Sequence, residues 1–126
     1  TQTMFLFGGE TTVTVRGNGR GGRNQELALS ALRFIGPGQI LAAIASDGRD
    51  NTEAAGAIGD ILTIKKAKNL NIDSREFLDK NDSFNFFKKT GDLIFTEQKT
   101  FNVADLMIIL KSTNNVFAKG ESPKGL

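Results

Sequence analysis

The sequence predicts an α/β sandwich in which a mixed or mostly parallel sheet is flanked by helices. Residues 11–16 alternate polar and β-branched residues, which is typical of a strand with one buried face. Residues 39–46 form a short, continuous apolar run, which is typical of a central strand covered on both faces. Helical patterns separate the strand-like segments, and this alternation favours a layered α/β domain.

The first two helices are predicted from their apolar spacing and from the residues at their ends. A glycine-rich loop leads from the first strand to a helix over residues 24–35, with Asn24 as its cap and residues 36–38 (GPG) as its end. After the central strand, Thr52 is predicted to cap a second helix over residues 52–67.

The second half of the chain is predicted to contain two short helices and two strands. The helices begin near Asp73 and Asp82, and the strands cover residues 92–96 and 103–110. Aromatic residues at near-helical spacing usually pack inside a protein. The phenylalanines expected in the core are therefore Phe84, Phe86 and Phe87.

Composition excludes several classes of function. The chain contains no His and no Cys, which excludes an imidazole base, a thiolate nucleophile, a His/Cys zinc site and a disulfide. A formal net charge of +2 is too small to indicate a nucleic-acid partner. The opening apolar run, residues 4–7, is far too short to span a membrane. We expect a cytoplasmic protein, because small secreted domains often depend on disulfides and this chain has no cysteine.

The domain organisation is predicted to be one domain over residues 1–111 followed by a flexible tail over residues 112–126. The tail is polar and contains Gly and Pro. The chain begins with Thr rather than Met and enters a strand-like segment almost at once. We therefore expect it to be a piece of a longer protein.

The loop at residues 17–22 leaves three interpretations open. Three of its glycines satisfy the spacing G-x-G-x-x-G between a predicted strand and a predicted helix, as in dinucleotide-binding loops. Two arginines lie in or beside this loop, which favours a site where amides and guanidinium groups hold a phosphate or carboxylate. A flexible connection is the third interpretation. The candidate loop residues are Gly17, Gly19, Arg20, Gly21 and Gly22, with Arg23 next to them.

Two aspartates follow the predicted central strand. Asp47 and Asp50 flank a Gly-Arg pair, so one carboxylate could hold Mg²⁺ or accept the proton of a substrate hydroxyl. A polar turn before a helix would explain the same residues without any chemistry. Spacing alone does not decide between these two interpretations.

Four segments together resemble one family. They are GGETTVTV at residues 8–15, GGRNQELAL at 21–29, SDGRD at 46–50 and NDSF at 81–84. In combination they are similar to the MOFRL domain, the C-terminal domain of glycerate 2-kinases. The resemblance implies ATP-dependent phosphorylation of D-glycerate to 2-phosphoglycerate with Mg²⁺. The reaction would occur in a cleft between this domain and a larger, Rossmann-like N-terminal domain.

The resemblance also implies roles for individual residues. Glu10, Arg23, Asn24 and Asp50 fall on substrate-binding positions, and Arg23 and Asp47 on catalytic ones. Asp47 is in addition the candidate metal ligand. By this resemblance the chain is a fragment of a kinase and is expected to be inactive alone.

One segment departs from the family pattern. The family usually has GPTGTNV before its final strand, whereas this chain has EQKTFNV at residues 97–103. A non-catalytic anion-binding or interaction module of the same fold is therefore a second hypothesis. A third is an NAD(P)H-dependent hydroxypyruvate reductase, a name that some members carry.

Overall fold

A computed structural model describes residues 1–99 and 104–113. Its centre is a five-stranded sheet in the order β1-β5-β2-β3-β4. The strands are β1 (Gln2–Gly9), β2 (Gln39–Ala45), β3 (Gly56–Asp60), β4 (Leu93–Ile94) and β5 (Asp105–Ser112). The helices are α1 (Arg23–Ala31), α2 (Ile61–Asn69), α3 (Ser74–Asp79) and α4 (Ser83–Thr90), and a short 3-10 turn, Leu32–Phe34, extends α1.

The prediction of a mixed or mostly parallel sheet is wrong. Each pair of neighbouring strands in the described sheet is antiparallel. The physical reason is the long-range pairing of β5, which inserts between β1 and β2 and runs against both. The connection from β2 to β3 is a loop rather than a crossover helix, so these strands also run in opposite directions. The layered α/β arrangement is retained.

The second predicted helix is also wrong over its first half. Residues 56–60 form β3, and helix α2 begins at Ile61. A Cβ at Gly56 would lie 1.8 Å from the carbonyl oxygen of Ala43, so a close strand pairing requires glycine there. Asp60, not Thr52, caps the helix, because its side chain accepts a hydrogen bond from the N–H of Thr63 at 3.0 Å.

The first strand lies nearer the start of the chain than predicted. Residues 2–9 form β1, whereas residues 11–16 are not part of the sheet. Only Val13 within this segment is partly buried, so the alternation does not mark a strand with one buried face. Helices α3 and α4 lie close to their predicted positions, and the short strand β4 falls inside the predicted 92–96.

The core lies between the helices and one face of the sheet. Leu41, Ala43 and Ala57 are buried on that face and pack with Ala28 and Leu29 of α1. The three phenylalanines predicted in the core are indeed buried on α4, with exposures of 2% or less. The hydrophobic effect therefore acts across two layers, helices on sheet.

The opposite face of the sheet is apolar and carries no helix in the described part of the chain. The strand register places ten apolar side chains of this face in three rows, since residues paired across strands share a face, and the charged Asp60 ends the first row beside Ile40. We call these ten side chains the uncovered face. They are Met4, Leu110 and Ile40; Leu6, Ile108, Ala42 and Ile58; and Leu106, Ile44 and Ile94.

Residues 100–103 and 114–126 lie outside the described part of the chain. Most of the predicted flexible tail and part of the divergent 97–103 segment fall there. Within the described ranges, no helix combines the length and apolarity needed to cross a membrane.

Candidate functional site

The first turn of α1 is capped by an aspartate from a distant loop. Gly22, the N-cap residue, provides no side-chain hydrogen bond. Asp50 acts instead: its Oδ1 accepts from the backbone N–H and side-chain amide of Asn24 at 3.0 and 3.1 Å. Its Oδ2 accepts from the backbone N–H and side-chain amide of Gln25 at 2.8 and 2.9 Å. Asp50 is 3% exposed, so helix amides replace water around its charge.

The glycine loop, residues 17–22, packs tightly against the protein itself. A Cβ at Gly22 would lie 1.9 Å from the carbonyl oxygen of Asp50, and one at Gly19 would lie 2.4 Å from Cβ of Asp82. These distances are far below van der Waals contact, so only glycine fits. The same restriction applies to Gly17 and Gly21.

Backbone amides of the glycine loop donate to protein groups. The N–H of Gly19 donates to the carbonyl oxygen of Lys80 at 2.9 Å, and the N–H of Arg20 to Oδ1 of Asp82 at 2.9 Å. These contacts support a packing role for the loop. Anion binding by the loop stays a prediction.

Asn81 fastens the segment before the glycine loop to the turn between α3 and α4. Its side-chain oxygen accepts from the N–H groups of Arg16 and Gly17 at 2.5 and 2.9 Å. Its amide group donates to the carbonyl oxygen of Thr14 at 3.2 Å and to Glu26 at 3.0 Å. The residue adopts φ of 54° and is 8% exposed, an arrangement that Asn tolerates better than most residues.

Arg23 forms the centre of an ionic network at the start of α1. Its Nε donates to Oδ2 of Asp105, and its Nη2 donates to Oδ1 of the same carboxylate at 3.1 Å. Nη2 also lies 3.1 Å from Glu10. The Asp105 side chain is 7% exposed and that of Glu10 is 68% exposed. The hydrogen bond to Asp105 raises the pKa of Arg23, and Coulombic attraction to Asp105 and Glu10 adds to the effect although burial opposes it.

Asp47 and Arg20 have separate environments. Oδ1 of Asp47 accepts from the N–H of Arg49 at 3.0 Å, and its carbonyl oxygen accepts from the N–H of Lys99 at 2.9 Å. Arg20 pairs with Glu53 at 2.6 Å, and its guanidinium lies 4.2 Å from the centre of the Phe84 ring. Asp47 thus holds a tight turn, and Arg20 lies against α4.

One cavity of about 510 Å³ brings several of the predicted site residues together. Arg23, Asp50 and glycines 17, 19, 21 and 22 line it, together with Glu26 and Asn81. The glycine loop and the loop that carries Asp50 therefore line the same cavity. Asp47, Glu10, Asn24 and Arg20 are not among the lining residues, and of these Glu10 is joined to the cavity through Arg23.

The described residues do not form a complete metal site. No group of three or more acidic side chains converges within residues 1–99 and 104–113. Mg²⁺ usually keeps several waters and takes one or two carboxylates together with substrate phosphates. Among the described residues, Asp47 is therefore compatible with providing one carboxylate ligand to Mg²⁺ and not with a site of several carboxylates.

Comparison with known proteins identifies the family. The sequence model of the MOFRL family matches residues 3–105. The chain belongs to the MOFRL family. The resemblance of its four sequence segments is thereby confirmed.

Relatives of this MOFRL domain include longer kinases. It is 49% identical over 107 residues to a D-glycerate 2-kinase of Thermotoga maritima, covering 82% of this chain and 26% of the relative. It is 43% identical over 110 residues to a glycerate 2-kinase of Pyrococcus horikoshii, covering 85% and 25%. A putative hydroxypyruvate reductase of Agrobacterium vitis is 38% identical over 112 residues, covering 85% and 26%. The chain thus spans about a quarter of these relatives.

Two solved structures share the fold. A crystal structure of glycerate kinase from Thermotoga maritima superposes with a TM-score of 0.83 at 47% identity, covering 86% of this chain and 27% of that one. A protein of Pyrococcus horikoshii superposes with a TM-score of 0.81 at 42% identity, covering 86% and 26%. Both agree with a domain that forms part of a larger protein.

Two residues central to this MOFRL domain were missed as site residues from the sequence. Asp105 pairs with Arg23 across 82 positions of the chain, and Asn81 reaches Arg16 across 65. A charged residue inside an otherwise apolar strand was a usable signal for Asp105, because such a charge requires a partner. For Asn81 the sequence signal was the resemblance of its segment, NDSF at residues 81–84, to the family.

Proposed function

We propose that this domain forms one wall of the cleft in which a glycerate 2-kinase phosphorylates D-glycerate to 2-phosphoglycerate. A larger N-terminal domain, in the same polypeptide or as a separate chain, forms the other wall. The names of the relatives support the reaction class. The observation that carries the proposal is the Arg23 network beside the cavity, where a fixed guanidinium meets the start of a helix.

Arg23 is the proposed anion-binding and catalytic residue. Asp105 engages its Nε and Nη2, so the fork is held in one orientation, whereas Nη1 makes no hydrogen bond to the described residues. That nitrogen is available to a carboxylate or to the phosphoryl group being transferred. A preorganised cation at that point stabilises the developing charge of the transition state without reorganisation. Glu10, which is mostly exposed, is proposed to accept a hydrogen bond from a substrate hydroxyl.

The two aspartates have different proposed roles. All four hydrogen bonds to the Asp50 carboxylate come from Asn24 and Gln25, so Asp50 and Asn24 are proposed to act on substrate by positioning the start of α1. Asp47 is proposed to accept the proton of the glycerate hydroxyl or to provide one Mg²⁺ ligand. When bound, Mg²⁺ would neutralise charge on the phosphates of ATP.

The reductase hypothesis has less support than the kinase hypothesis. In a dinucleotide-binding loop the pyrophosphate sits on the N–H groups at the start of the helix. Here the N–H groups of Asn24 and Gln25 already donate to Asp50. The segment before the loop is also outside the sheet, unlike the strand of a dinucleotide-binding unit. The glycine spacing therefore serves close packing in this fold.

A chimera provides the test. The 107-residue segment of the Thermotoga maritima D-glycerate 2-kinase that matches this chain is replaced by this chain, and ADP release is measured with ATP, Mg²⁺ and D-glycerate. We expect glycerate-dependent turnover. Arg23→Lys should lower kcat/KM by about 10- to 1000-fold, because the bidentate fork is lost although the charge remains.

The matched control is Arg33→Lys, on the 3-10 turn after α1, which should leave kcat/KM within about twofold, since exposed charges away from a site contribute little. A folded chimera that releases no ADP, or one in which Arg23→Lys behaves like Arg33→Lys, would contradict the proposal. Oxidation of NADH by the chimera with hydroxypyruvate would favour the reductase instead.

A further inference from the structure

The uncovered face has the composition of a protein core but is not covered by the described chain. Antiparallel sheets with one solvated face normally carry polar residues there. Here ten side chains in three rows are apolar, with polar residues only at the border, at Asp60 beside Ile40 and at the pair Gln2 and Ser112. Met4 and Leu6 are 63% and 60% exposed. Contiguous apolar patches on a folded domain mark interaction surfaces.

Strand β1 extends this exposure to both sides of the sheet. All eight of its residues are exposed. Phe5 and Phe7 point to the helix side but lie beyond the helices, with exposures of 45% and 48%. The outer edge of β1 pairs with no described strand. An apolar edge strand exposed in this way is a site of association unless something covers it.

The uncovered face ends directly beside the Arg23 network. Gly8 pairs with Leu106 in its last row, and the next pair along the strands is Gly9 with Asp105. Asp105 holds Arg23, and Glu10 follows β1 immediately. A surface packed on the last row would therefore approach the cavity that Arg23 lines.

The described chain enters β1 and leaves β5 at the other end of these strands, where Gln2 pairs with Ser112, away from the Arg23 network. The N–H of Thr113, just after β5, donates to the carbonyl oxygen of Thr1 at 3.0 Å. Polypeptide attached at either end of the described sheet would start next to β1. The relatives are about four times longer than the segment they share with this chain, which covers 26% and 25% of their length.

We infer that the uncovered face, together with β1, is the surface on which the larger N-terminal domain of the kinase packs, through apolar side chains of its own. This inference rests on the proposed function. It specifies how the second wall of the cleft is held: the partner covers Met4, Leu6 and Ile108 and thereby reaches the edge of the site at Glu10 and Arg23. On the other strands of the sheet, the side that faces the helices belongs to the core of this domain.

The test uses the absence of cysteine from the chain. Leu6→Cys and Leu70→Cys are made separately in the isolated chain and in the chimera, and the rate of maleimide labelling at each position is measured by peptide mass spectrometry. Leu70 is the matched control, because it is 50% exposed at the end of α2 and away from the sheet. Both substitutions replace an exposed leucine, so we expect both variants to fold.

We expect Cys labelling at position 6 to be at least about tenfold slower in the chimera than in the isolated chain, since burial restricts thiol reactivity. Labelling at position 70 should be equal in both. Equal labelling at position 6 in both proteins would overturn the inference, as would an isolated chain that light scattering shows to be a dimer with position 6 already protected. Labelling does not depend on catalysis, so an inactive chimera with position 6 protected contradicts only the proposed function.

Discussion

Asp50 connects two segments that are far apart in the sequence. Its buried carboxylate accepts four hydrogen bonds from the first turn of α1, and its N–H donates to the carbonyl oxygen of Ala54 at 2.9 Å. The residue therefore fixes both the helix that carries Arg23 and the loop that carries Asp47. Such a contact cannot be replaced by water in a site this buried.

Replacement of Asp50 should be costly for stability. Asp50→Ala leaves the buried donors of Asn24 and Gln25 without acceptors, and we expect the free energy of unfolding in urea to fall by about 2–4 kcal/mol. Asp47→Ala removes only a turn contact in a half-buried position and should cost less than about 1 kcal/mol. Equal losses for the two variants would show that Asp50 is not the structural centre of the loop.

Glu26 should make stability dependent on pH. Burial raises the pKa of this carboxyl, while the hydrogen bond from Asn81 and the charge of Arg16 oppose the shift. The folded state thus binds more protons than the unfolded state just above the ordinary pKa of 4.5. Stability therefore falls as pH rises from that value through the raised pKa.

Glu26→Gln should remove this dependence, because an uncharged amide oxygen still accepts from Asn81. We expect the variant to unfold at higher urea concentration than the wild type at pH 7, with the difference shrinking below pH 4.5. Glu97→Gln, at a largely exposed position, is the control and should show no such trend. A difference that is constant from pH 4 to 7 would exclude titration of Glu26 as the cause.

At the scale of elements, the glycine loop is best explained by packing. A Cβ at Gly22 has no room against the backbone of Asp50. Gly22→Ala should therefore lower the free energy of unfolding by about 2 kcal/mol or more. Gly36→Ala is the control, since its nearest contact would be 3.8 Å away, and should change stability by less than about 0.5 kcal/mol. Equal urea midpoints for the two variants would refute this interpretation of the loop.

Elements determined by local signals could be predicted from the sequence. The apolar run of β2, the Asp73 cap of α3 and the near-helical spacing of the α4 phenylalanines are signals within short segments of the sequence. Strand β3 could not be distinguished in this way, because its alanine and isoleucine fit helical spacing equally well. Its two glycines, Gly56 and Gly59, were the signal against a helix.

The direction of the strands and the partners of the site depend on long-range contacts. The antiparallel sheet follows from the insertion of β5 between β1 and β2, which no local pattern records. Arg23 was singled out by its place beside the glycine loop and Glu10 by the family resemblance, whereas the pairing of Asp105 with Arg23 is seen only in the structure. The sequence thus indicates the chemistry of the site better than its geometry.

At the level of the whole molecule, the described residues form a core on one side of the sheet and none on the other. Because the helix side buries a contiguous apolar cluster, we expect the chain to fold by itself. The candidate site, however, opens beside an apolar face that the described residues leave uncovered. Phosphoryl transfer is mostly positioning and charge neutralisation between two bound substrates, and one wall does not provide both.

The most direct test of the central claim is a coupled ADP-release assay on the isolated 126-residue chain with ATP, Mg²⁺ and D-glycerate, run beside the chimera. We predict a folded chain with no glycerate-dependent ADP release, and turnover in the chimera under the same conditions. Turnover by the isolated chain in the usual kinase range of about 1–100 per second would contradict the claim that this domain is one wall of a two-domain site.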